Sequence, residues 1–272
     1  MTKKNRILPG HLNTALIKDR YLRFWIFTAM VLFACSCKTG SQQAKSAAGF
    51  QPIFNGKNLD GWIGDPIYWK VENGILVGEV TPETILNRNT FIIYEKDQPS
   101  DFELKLEYKI SEMGNSGVNY RSEKINDLPF ALRGYQCDID GRNRYTGQNY
   151  EERKRTTLAY MSEKVTIPKM PDSIPQDDIR KNVKKNSWQT RDVIGSFGDK
   201  EQLKTNIKAN DWNTVHIIAK GPKMQHFVNG TLISEVTDLD TINQNLTGYI
   251  GVQVHVGPPM KVEFKEIRLK IL

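Results

Sequence analysis

The stretch DFELKLEYKI, residues 101–110, alternates strictly between apolar and charged side chains. Its apolar positions run from Phe102 to Ile110 in steps of two, and Glu or Lys occupies the positions between them. Because successive side chains of a strand point to opposite faces, this pattern predicts a β-strand with one buried face and one solvent-exposed face. Such strands are typical of antiparallel sheets, which often have one face in contact with water.

Short alternating segments continue on both sides of this stretch, separated by Gly, Asn, Asp and Pro turns. Two Asn-Gly pairs, Asn73-Gly74 and Asn229-Gly230, stand between apolar segments and predict tight hairpins. A shift in the alternation near Lys265 predicts a β-bulge in the last segment. The sequence contains no convincing long amphipathic helix, so about a dozen short strands of this kind predict an all-β fold, a β-sandwich.

Polar side chains occupy one face of the segment GYQCDID, residues 134–140. Gln136, Asp138 and Asp140 lie on this face, while the residues between them are apolar or weakly polar. Aspartate is depleted in strands because its short carboxylate competes for backbone N–H groups. The pattern therefore indicates a functional face of the sheet.

The preceding segment, NSGVNYRSE at residues 115–123, breaks the plain alternation in a similar way. Asn119 and Arg121 fall on its polar face. If the two segments are neighbouring strands, we expect Arg121 to lie within reach of Asp138 or Asp140. The alternative interpretation is an ordinary cross-strand ion pair that contributes little.

Two other segments bring further ionisable groups to this face. In RYTGQNYEERKR, residues 144–155, a Gly-containing reversal returns the pair Glu151 and Glu152 towards the sheet. In GVQVHVG, residues 251–257, the three valines are predicted to pack inward and His255 to face the opposite side.

The N-terminal residues have the features of a bacterial signal peptide. Basic residues precede an apolar run, Phe24 to Ala34, that is too short to span a bilayer comfortably, and the tetrapeptide ending at Cys35 resembles a lipobox. We expect Cys35, or in a weaker register Cys37, to be lipidated. The predicted organisation is a signal peptide with its lipobox at residues 1–37, a flexible tether at 38–49 and a folded domain at 50–272. This predicts a lipid-anchored protein of the bacterial cell envelope, facing the periplasm or the cell surface.

Removal of the leader changes the charge balance. Residues 1–34 contain six Lys or Arg and one Asp, so the rest of the chain has 32 basic and 30 acidic residues and a formal charge of +2. A nucleic-acid partner is poorly supported, because phosphate binding needs a basic stripe. Cys137 alone remains within the folded domain, and we expect it to be a buried apolar residue.

An ordered set of segments carries a family resemblance. It comprises FQPIFNGKNLDGW, YWKVENGILVG, DFELKLEYKI, NSGVNYRS, GYQCDIDG, DWNTVHIIAKG, VNGTLI and GVQVHVGPPMKVEFKEIRLK. From about Phe50 to Leu272 the chain resembles the 3-keto-disaccharide hydrolase domain family. The resemblance implies a concanavalin-like jelly roll of two antiparallel sheets, whose concave sheet holds a carbohydrate, on a lipoprotein or secreted chain.

A glycoside oxidised at C3 has an acidified C2 proton, so its glycosidic bond can be cleaved by proton abstraction, elimination and hydration. This route needs a base, a donor to the enolate oxygen and an acid for the leaving group. We expect His255 or an aspartate to be the base, Arg121 to stabilise the oxyanion and Glu151 or Glu152 to be the acid. The predicted catalytic residues are Arg121, Asp138, Asp140, Glu151, Glu152 and His255. The predicted substrate-binding residues are Asn119, Tyr120, Tyr135, Gln136, Tyr150 and Gln253.

Two other functions fit the same polar face. Paired carboxylates suit an ordinary two-carboxylate glycosidase, and the polar and aromatic side chains suit a non-catalytic, lectin-like carbohydrate-binding module. A divalent cation, Ca²⁺, Mg²⁺ or Mn²⁺, is also compatible with the oxygen and imidazole ligands of Asp138, Asp140, Glu151 and His255.

Overall fold

The computed structural model describes residues 49–175, 179–184 and 190–272. These residues belong to the second of two units of the chain, Ser46–Leu272. The predicted signal peptide, both candidate lipidation sites (Cys35 and Cys37) and nearly all of the tether lie outside the described residues, so these assignments stay predictions. Within the described residues, no helix has both the length and the apolar character needed to cross a membrane.

The described part of the chain is built almost entirely from strands. In chain order the elements are β1 (Gln51–Pro52), β2 (Trp62–Ile63), β3 (Trp69–Glu72), β4 (Ile75–Val80), β5 (Thr90–Tyr94), β6 (Phe102–Ile110), β7 (Asn115–Lys124), β8 (Leu132–Asp140), β9 (Asn149–Glu152), β10 (Thr156–Ala159), β11 (Glu163–Ile167), α1 (Ile179–Lys184), β12 (Asp192–Ser196), α2 (Lys200–Lys204), β13 (Asn213–Lys220), β14 (Lys223–Val228), β15 (Thr231–Asp238), β16 (Tyr249–Val254) and β17 (Met260–Ile271).

These strands form two sheets that pack face to face. The larger sheet has the order β12-β11-β15-β14-β13-β6-β17-β4-β3, with β1 added to β17, and the smaller sheet has the order β10-β9-β8-β7-β16-β5-β2. All pairs are antiparallel except β11 with β15. One apolar core joins both sheets, because Leu104 and Leu106 of β6 share it with Val118 of β7 and Cys137 of β8. The predicted jelly-roll β-sandwich is confirmed.

Local sequence signals account for much of this architecture. The buried positions of β6 alternate with half-buried or exposed ones, as its apolar and charged residues predict. Asn73-Gly74 joins β3 to β4 and Asn229-Gly230 joins β14 to β15, and all four residues have the positive φ that a type I′ turn requires. The bulge predicted near Lys265 is also present, as a register shift between Lys265 and Arg268.

The candidate functional residues lie on the outer face of the smaller sheet. Along β8, Tyr135, Cys137 and Ile139 lie in the core, so Gln136 and Asp138 point away from it, as predicted. The prediction for the last valine of GVQVHVG was wrong: β16 ends at Val254, and Val256 follows it with 40% of its surface exposed. The chain leaves the sheet at this point, which breaks the alternation.

Candidate active site

A cavity of about 360 Å³ opens on the outer face of the smaller sheet. It is lined by residues of β7, β8, β9, β10 and α1 and of the loops that follow β4, β8 and β16, namely Asn89, Asn115, Gln136, Asp138, Tyr145, Gln148, Tyr150, Glu152, Thr157, Arg180, His255 and Val256. Of the residues predicted from the sequence, Gln136, Asp138, Tyr150, Glu152 and His255 are therefore brought together. Carboxylates, an imidazole, a guanidinium and amides line one small cavity, a composition typical of a site that binds a polar ligand.

Asp138 lies at the base of this cavity, with 8% of its surface exposed. Its Oδ1 accepts a hydrogen bond from Gln136 Nε2 at 2.6 Å, and its Oδ2 accepts one from Gln148 Nε2 at 2.5 Å. Burial raises the pKa of Asp138 to about 7, although both amide donors act to lower it, and the nearby Glu152 and Asp140 raise it further. Near neutral pH this carboxyl group is populated in both protonation states, so it can accept or donate a proton.

A glycine on the neighbouring strand makes room for the first of these donors. Gly117 of β7 pairs with Asp138, and a Cβ atom built on Gly117 would lie 2.3 Å from Gln136 Cδ. No side chain larger than hydrogen fits there without moving Gln136. The glycine of the Asn-Ser-Gly sequence in β7 therefore leaves space for the Gln136 amide, which donates to the Asp138 carboxylate.

Glu152 is the second carboxylate of the cavity, at the end of β9, with 7% of its surface exposed. Its Oε1 accepts a hydrogen bond of 3.4 Å from Asn89 Nδ2. Burial raises the pKa of Glu152, and the positive charge of Arg153 and the hydrogen bond from Asn89 oppose that rise. A raised pKa favours the protonated form of Glu152, which is the form that a general acid needs.

His255 follows the end of β16 and supplies the imidazole. Its Nδ1 lies 2.6 Å from the carbonyl oxygen of Val256. Because a carbonyl can only accept, Nδ1 must carry the hydrogen, so in the neutral ring Nε2 has a free lone pair. Val256 is in turn held by Asn89, whose Oδ1 accepts a hydrogen bond of 3.0 Å from the Val256 amide.

Arg180 of α1 is the guanidinium that lines the cavity, and it was not predicted from the sequence. Burial raises the pKa of Tyr150, and the neighbouring Arg180 guanidinium opposes that rise. Arg180 Nη1 is buried without a hydrogen-bond partner in the described residues. This residue lies in an irregular charged segment, where no local pattern separates a site residue from a surface one. Gln148 was also missed, although it belongs to the quoted segment RYTGQNYEERKR, where its position three residues before the candidate acid Glu151 could have indicated it.

The bulge in β7 explains why the prediction that Arg121 reaches Asp138 or Asp140 was wrong. The register shifts between Tyr120 and Glu123, and Arg121 has φ = 45°, so its side chain leaves the polar face. It is buried, and its guanidinium donates to the carbonyl oxygens of Ser100 (2.6 Å) and Gly221 (2.7 Å). Arg121 also approaches Asp101, at 3.3 Å.

Glu151 points to the interior of the sandwich, because neighbouring residues of β9 face opposite sides. Its carboxylate accepts hydrogen bonds from Arg155 Nε at 2.5 Å and Arg155 Nη2 at 2.9 Å. Arg155 also contacts Asp238 at 2.5 Å and Asp240 at 3.4 Å, and all four side chains are fully buried. Burial alone would raise the pKa of Glu151, but the charge and hydrogen bonds of Arg155 hold it below the usual value.

Asp140 shapes the loop that follows β8 and does not line the cavity. Its Oδ1 accepts a hydrogen bond of 2.8 Å from the Tyr145 backbone N–H, and Thr146 Oγ1 lies 3.4 Å from the same oxygen. Only 1% of its surface is exposed. Asp140 therefore holds the turn that brings Tyr145 and Gln148 to the cavity.

The other predicted binding residues lie near the cavity but do not line it. Tyr120 and Tyr135 are buried between the sheets, where their hydroxyls contact His226 Nε2 (2.8 Å) and Asp238 Oδ2 (2.6 Å). Those two assignments disagree with the alternation of the strands that carry them. Asn119 and Gln253 lie on the outer face of the sheet, fully buried; Gln253 Nε2 donates to Gln136 Oε1 at 3.2 Å.

The four proposed metal ligands are divided among these locations. Asp138 and His255 line the cavity, Asp140 holds a turn and Glu151 pairs with Arg155. Over residues 49–175, 179–184 and 190–272, no group of three or more His, Cys, Asp or Glu side chains is arranged to hold a metal ion. A divalent cation at this site stays a prediction, which metal analysis of the purified protein would test.

Comparison with known proteins places this geometry in context. A model of the 3-keto-alpha-glucoside-1,2-lyase-like domain matches residues 49–270. A crystal structure from Parabacteroides distasonis ATCC 8503, provisionally assigned as a glycosyl hydrolase, is 17% identical and covers 82% of this chain and 99% of its own, with a TM-score of 0.51. The carbohydrate-binding module CBM66 from Bacillus subtilis is 14% identical and covers 77% and 95% of the two chains, with a TM-score of 0.45. No match was found among curated proteins.

Proposed function

The chain belongs to the 3-keto-alpha-glucoside-1,2-lyase-like domain family, and on that premise we propose that it cleaves glycosidic bonds of 3-keto-glycosides or 3-keto-disaccharides. Family membership supports a carbohydrate-related function. The observation that carries the finer proposal is the pair of buried carboxyl groups of raised pKa, Asp138 and Glu152, in one cavity with His255 and Arg180.

The proposed reaction begins at C2 of the oxidised sugar. A base removes the C2 proton, and the electron pair of the C2–H bond forms an enolate with the C3 ketone. The enolate collapses as the bond between C1 and the glycosidic oxygen breaks, which leaves a C1=C2 double bond conjugated to the restored ketone. The departing oxygen takes a proton from an acid, and water then adds across the double bond to give the free 3-keto sugar.

We assign the proton removal to Asp138 in its ionised form, and the protonation of the leaving oxygen to Glu152 in its acid form. A pKa of about 7 at Asp138 supports its role, because a base acts best when its pKa lies near the working pH. Arg180 takes the role first expected of Arg121 and stabilises the enolate oxygen. In the last step His255, with Nε2 free, takes a proton from the water whose oxygen bonds to C1, and the protonated Asp138 returns a proton to C2.

The experiment that tests this proposal compares two substrates. Purified protein is incubated with a disaccharide and with its enzymatically 3-oxidised form, and released sugar is followed by mass spectrometry. Release from the keto-sugar alone, with deuterium from solvent at C2, is the expected result. Release from the oxidised and unoxidised sugars at equal rates would overturn the role of the ketone.

A second candidate is an ordinary two-carboxylate glycosidase, favoured by the same pair of buried acids in one cavity. It predicts cleavage of the unoxidised sugar without exchange at C2. A third outcome, binding of both sugars without cleavage, would favour the lectin-like binding module.

We also propose that the protein is lipid-anchored through Cys35, or Cys37, in a bacterial cell envelope. The support is the sequence of the leader alone. Metabolic labelling with a fatty acid tests it: we expect label in the wild type, none in C35S and retained label in C37S. Label retained in C35S and lost in C37S would favour the second register, and no label in the wild type would overturn the proposal.

A further inference from the structure

Two side chains of the larger sheet contact the carbonyl oxygen of Gly147, the residue that precedes Gln148 of the candidate active site. Ser234 Oγ donates a hydrogen bond of 2.7 Å to this oxygen, and His226 Nδ1 lies 3.3 Å from it. His226 is in β14 and Ser234 in β15, both strands of the larger sheet, and neither side chain has more than 1% of its surface exposed. Two buried side-chain donors of the larger sheet thus bind the loop between β8 and β9 of the smaller sheet.

That loop carries one of the two amides bound to Asp138. The Gly147 N–H donates a hydrogen bond of 2.8 Å to the Asp138 carbonyl oxygen. The Asp138 N–H donates one of 3.2 Å to the Gln148 carbonyl oxygen. These backbone bonds fix the turn beside β8, and from it the Gln148 side chain reaches Asp138 Oδ2. A displacement of Gly147 would therefore displace the next residue, Gln148, whose amide binds the Asp138 carboxylate.

The turn also packs directly against the larger sheet. Gly147 has φ = 84°, and a Cβ atom built on it would lie 2.5 Å from Ile233 Cγ2. Glycine is required at this position for its backbone conformation and for its close approach to β15. This close packing places the carbonyl oxygen of Gly147 within reach of both Ser234 and His226.

The hydrogen bonds also assign the state of His226. A carbonyl only accepts, so Nδ1 carries the hydrogen, and Nε2 accepts from the Tyr120 hydroxyl at 2.8 Å. That hydroxyl in turn accepts from Asn149 Nδ2 at 3.1 Å. Burial lowers the pKa of His226 to about 4, so the neutral ring that this arrangement needs persists across the neutral range.

We propose that His226 and Ser234 are positioning residues, which hold Gln148 in the orientation that presents its amide to Asp138. Neither lines the cavity, so both act through the backbone of the loop at Gly147 and Gln148. The consequence for catalysis rests on the proposed role of Asp138, but the structural link does not. An oriented amide favours the ionised carboxylate, and its loss favours the protonated form.

The test measures the ionisation of Asp138 without substrate. The protein is labelled with aspartate carrying ¹³C at the side-chain carboxyl, Asp138→Asn identifies the signal, and its titration midpoint is followed by NMR. In Gln148→Leu we expect the midpoint to rise by about one pH unit, the worth of a hydrogen bond to a charged group. Ser234→Ala and His226→Leu should raise it in the same direction by a smaller amount.

Two further variants separate positioning from plain stability. His226→Asn keeps a donor near the Nδ1 position and should restore the midpoint towards that of the wild type. Ser122→Ala removes another buried hydroxyl-to-carbonyl bond, from Ser122 Oγ to the Tyr120 oxygen at 3.1 Å, on a residue that does not line the cavity, and should leave the midpoint unchanged.

The charged groups around Asp138 are the same in all these variants, namely Asp140 of its own strand, Glu152 of β9, Arg180 of α1 and His255 after β16. An unchanged midpoint in Ser234→Ala, or in Gln148→Leu, would overturn the proposal even if the variants were less stable. If the midpoints shift as expected but the keto-sugar is not cleaved, the positioning link stands and the proposed function fails.

Discussion

Glu151 and Glu152 are adjacent in β9, yet their environments are opposite. Glu151 enters the sandwich, meets Arg155 through two hydrogen bonds and has a lowered pKa. Glu152 faces the outer cavity, accepts a long hydrogen bond from Asn89 and has a raised pKa. Both are buried, so burial alone does not decide the charge state. A fully paired carboxylate supports the fold, and an incompletely paired one is available for chemistry.

The largest effect should follow from neutralising the acids of the cavity. We expect Asp138→Asn and Glu152→Gln each to lower kcat/KM on a 3-keto-glycoside by about 10²- to 10⁴-fold, the usual worth of a proton-transfer group. The fold should survive, because neither acid is fully compensated by a cation. Steady-state kinetics, with circular dichroism as a check on folding, makes the measurement.

The matched control is Glu263→Gln in the larger sheet, where the half-buried Glu263 pairs with Lys109 at 2.8 Å, away from the cavity. Its kcat/KM should match that of the wild type. Activity within twofold of the wild type in Asp138→Asn or Glu152→Gln would remove that residue from the mechanism.

The same Glu-to-Gln change at the preceding residue, Glu151, should act on the stability of the fold instead. Glu151→Gln removes one carboxylate from a buried network and leaves Arg155 with Asp238 and Asp240. We expect the free energy of unfolding to fall by about 3 kcal/mol, as for other broken buried ion pairs. Chemical denaturation measures it, and Glu152→Gln is the control, with a loss below about 1 kcal/mol. Equal losses in the two variants would contradict the comparison.

A smaller effect is expected where the backbone makes room for the cavity. Gly117→Ala would place a Cβ atom 2.3 Å from Gln136 Cδ and so displace one amide from Asp138. The expected cost is about 2 kcal/mol of stability, with an upward shift of the pH at which activity falls in acid. Gly195→Ala is the matched strand control, because its Cβ atom would meet Lys164 at an ordinary 3.6 Å. Similar behaviour of the two variants would mean that Gly117 is not required for packing.

The smallest effect is the change in stability over a single pH unit. The pKa of Asp138 rises on folding from 3.8 to about 7, so its folded state retains a proton between those values. Stability should therefore fall as pH rises through this window, by about 1.4 kcal/mol per pH unit from this group. Glu151 has the opposite sign: its lowered pKa gives stability above the unfolded value that is lost in acid.

Denaturation at pH 5.5 and 6.5 makes the comparison, as the difference between the wild type and Asp138→Asn. We expect this difference to change across the interval, whereas the difference between the wild type and Glu151→Gln should stay constant there. A constant difference for Asp138→Asn would mean that its pKa is not raised.

Local patterns predicted the strands well, because alternation and Asn-Gly turns act over a few residues. They also placed Gln136 and Asp138 on the correct face of β8, since two-residue periodicity holds throughout that strand. The prediction failed for Arg121 and Val256, where a bulge and a strand end interrupt the alternation. Tyr120 and Tyr135 were wrongly predicted for a different reason. They were chosen as binding residues because they are tyrosines, although the alternation of their strands places both side chains in the core.

The sequence by itself determined the class of fold, the two-faced strands and the polar face on which the acids stand, because each depends on residues close together in the chain. Only the tertiary structure decided which acid has a counterion. Glu151 pairs with Arg155, four residues along the chain, but that pair is buried in a network because Arg155 also binds Asp238 and Asp240, and Asp138 accepts one hydrogen bond from a loop that His226 and Ser234 hold. The contacts of Arg155 with the two aspartates, and of the loop with His226 and Ser234, join residues about 80 positions apart or more, which no local periodicity records.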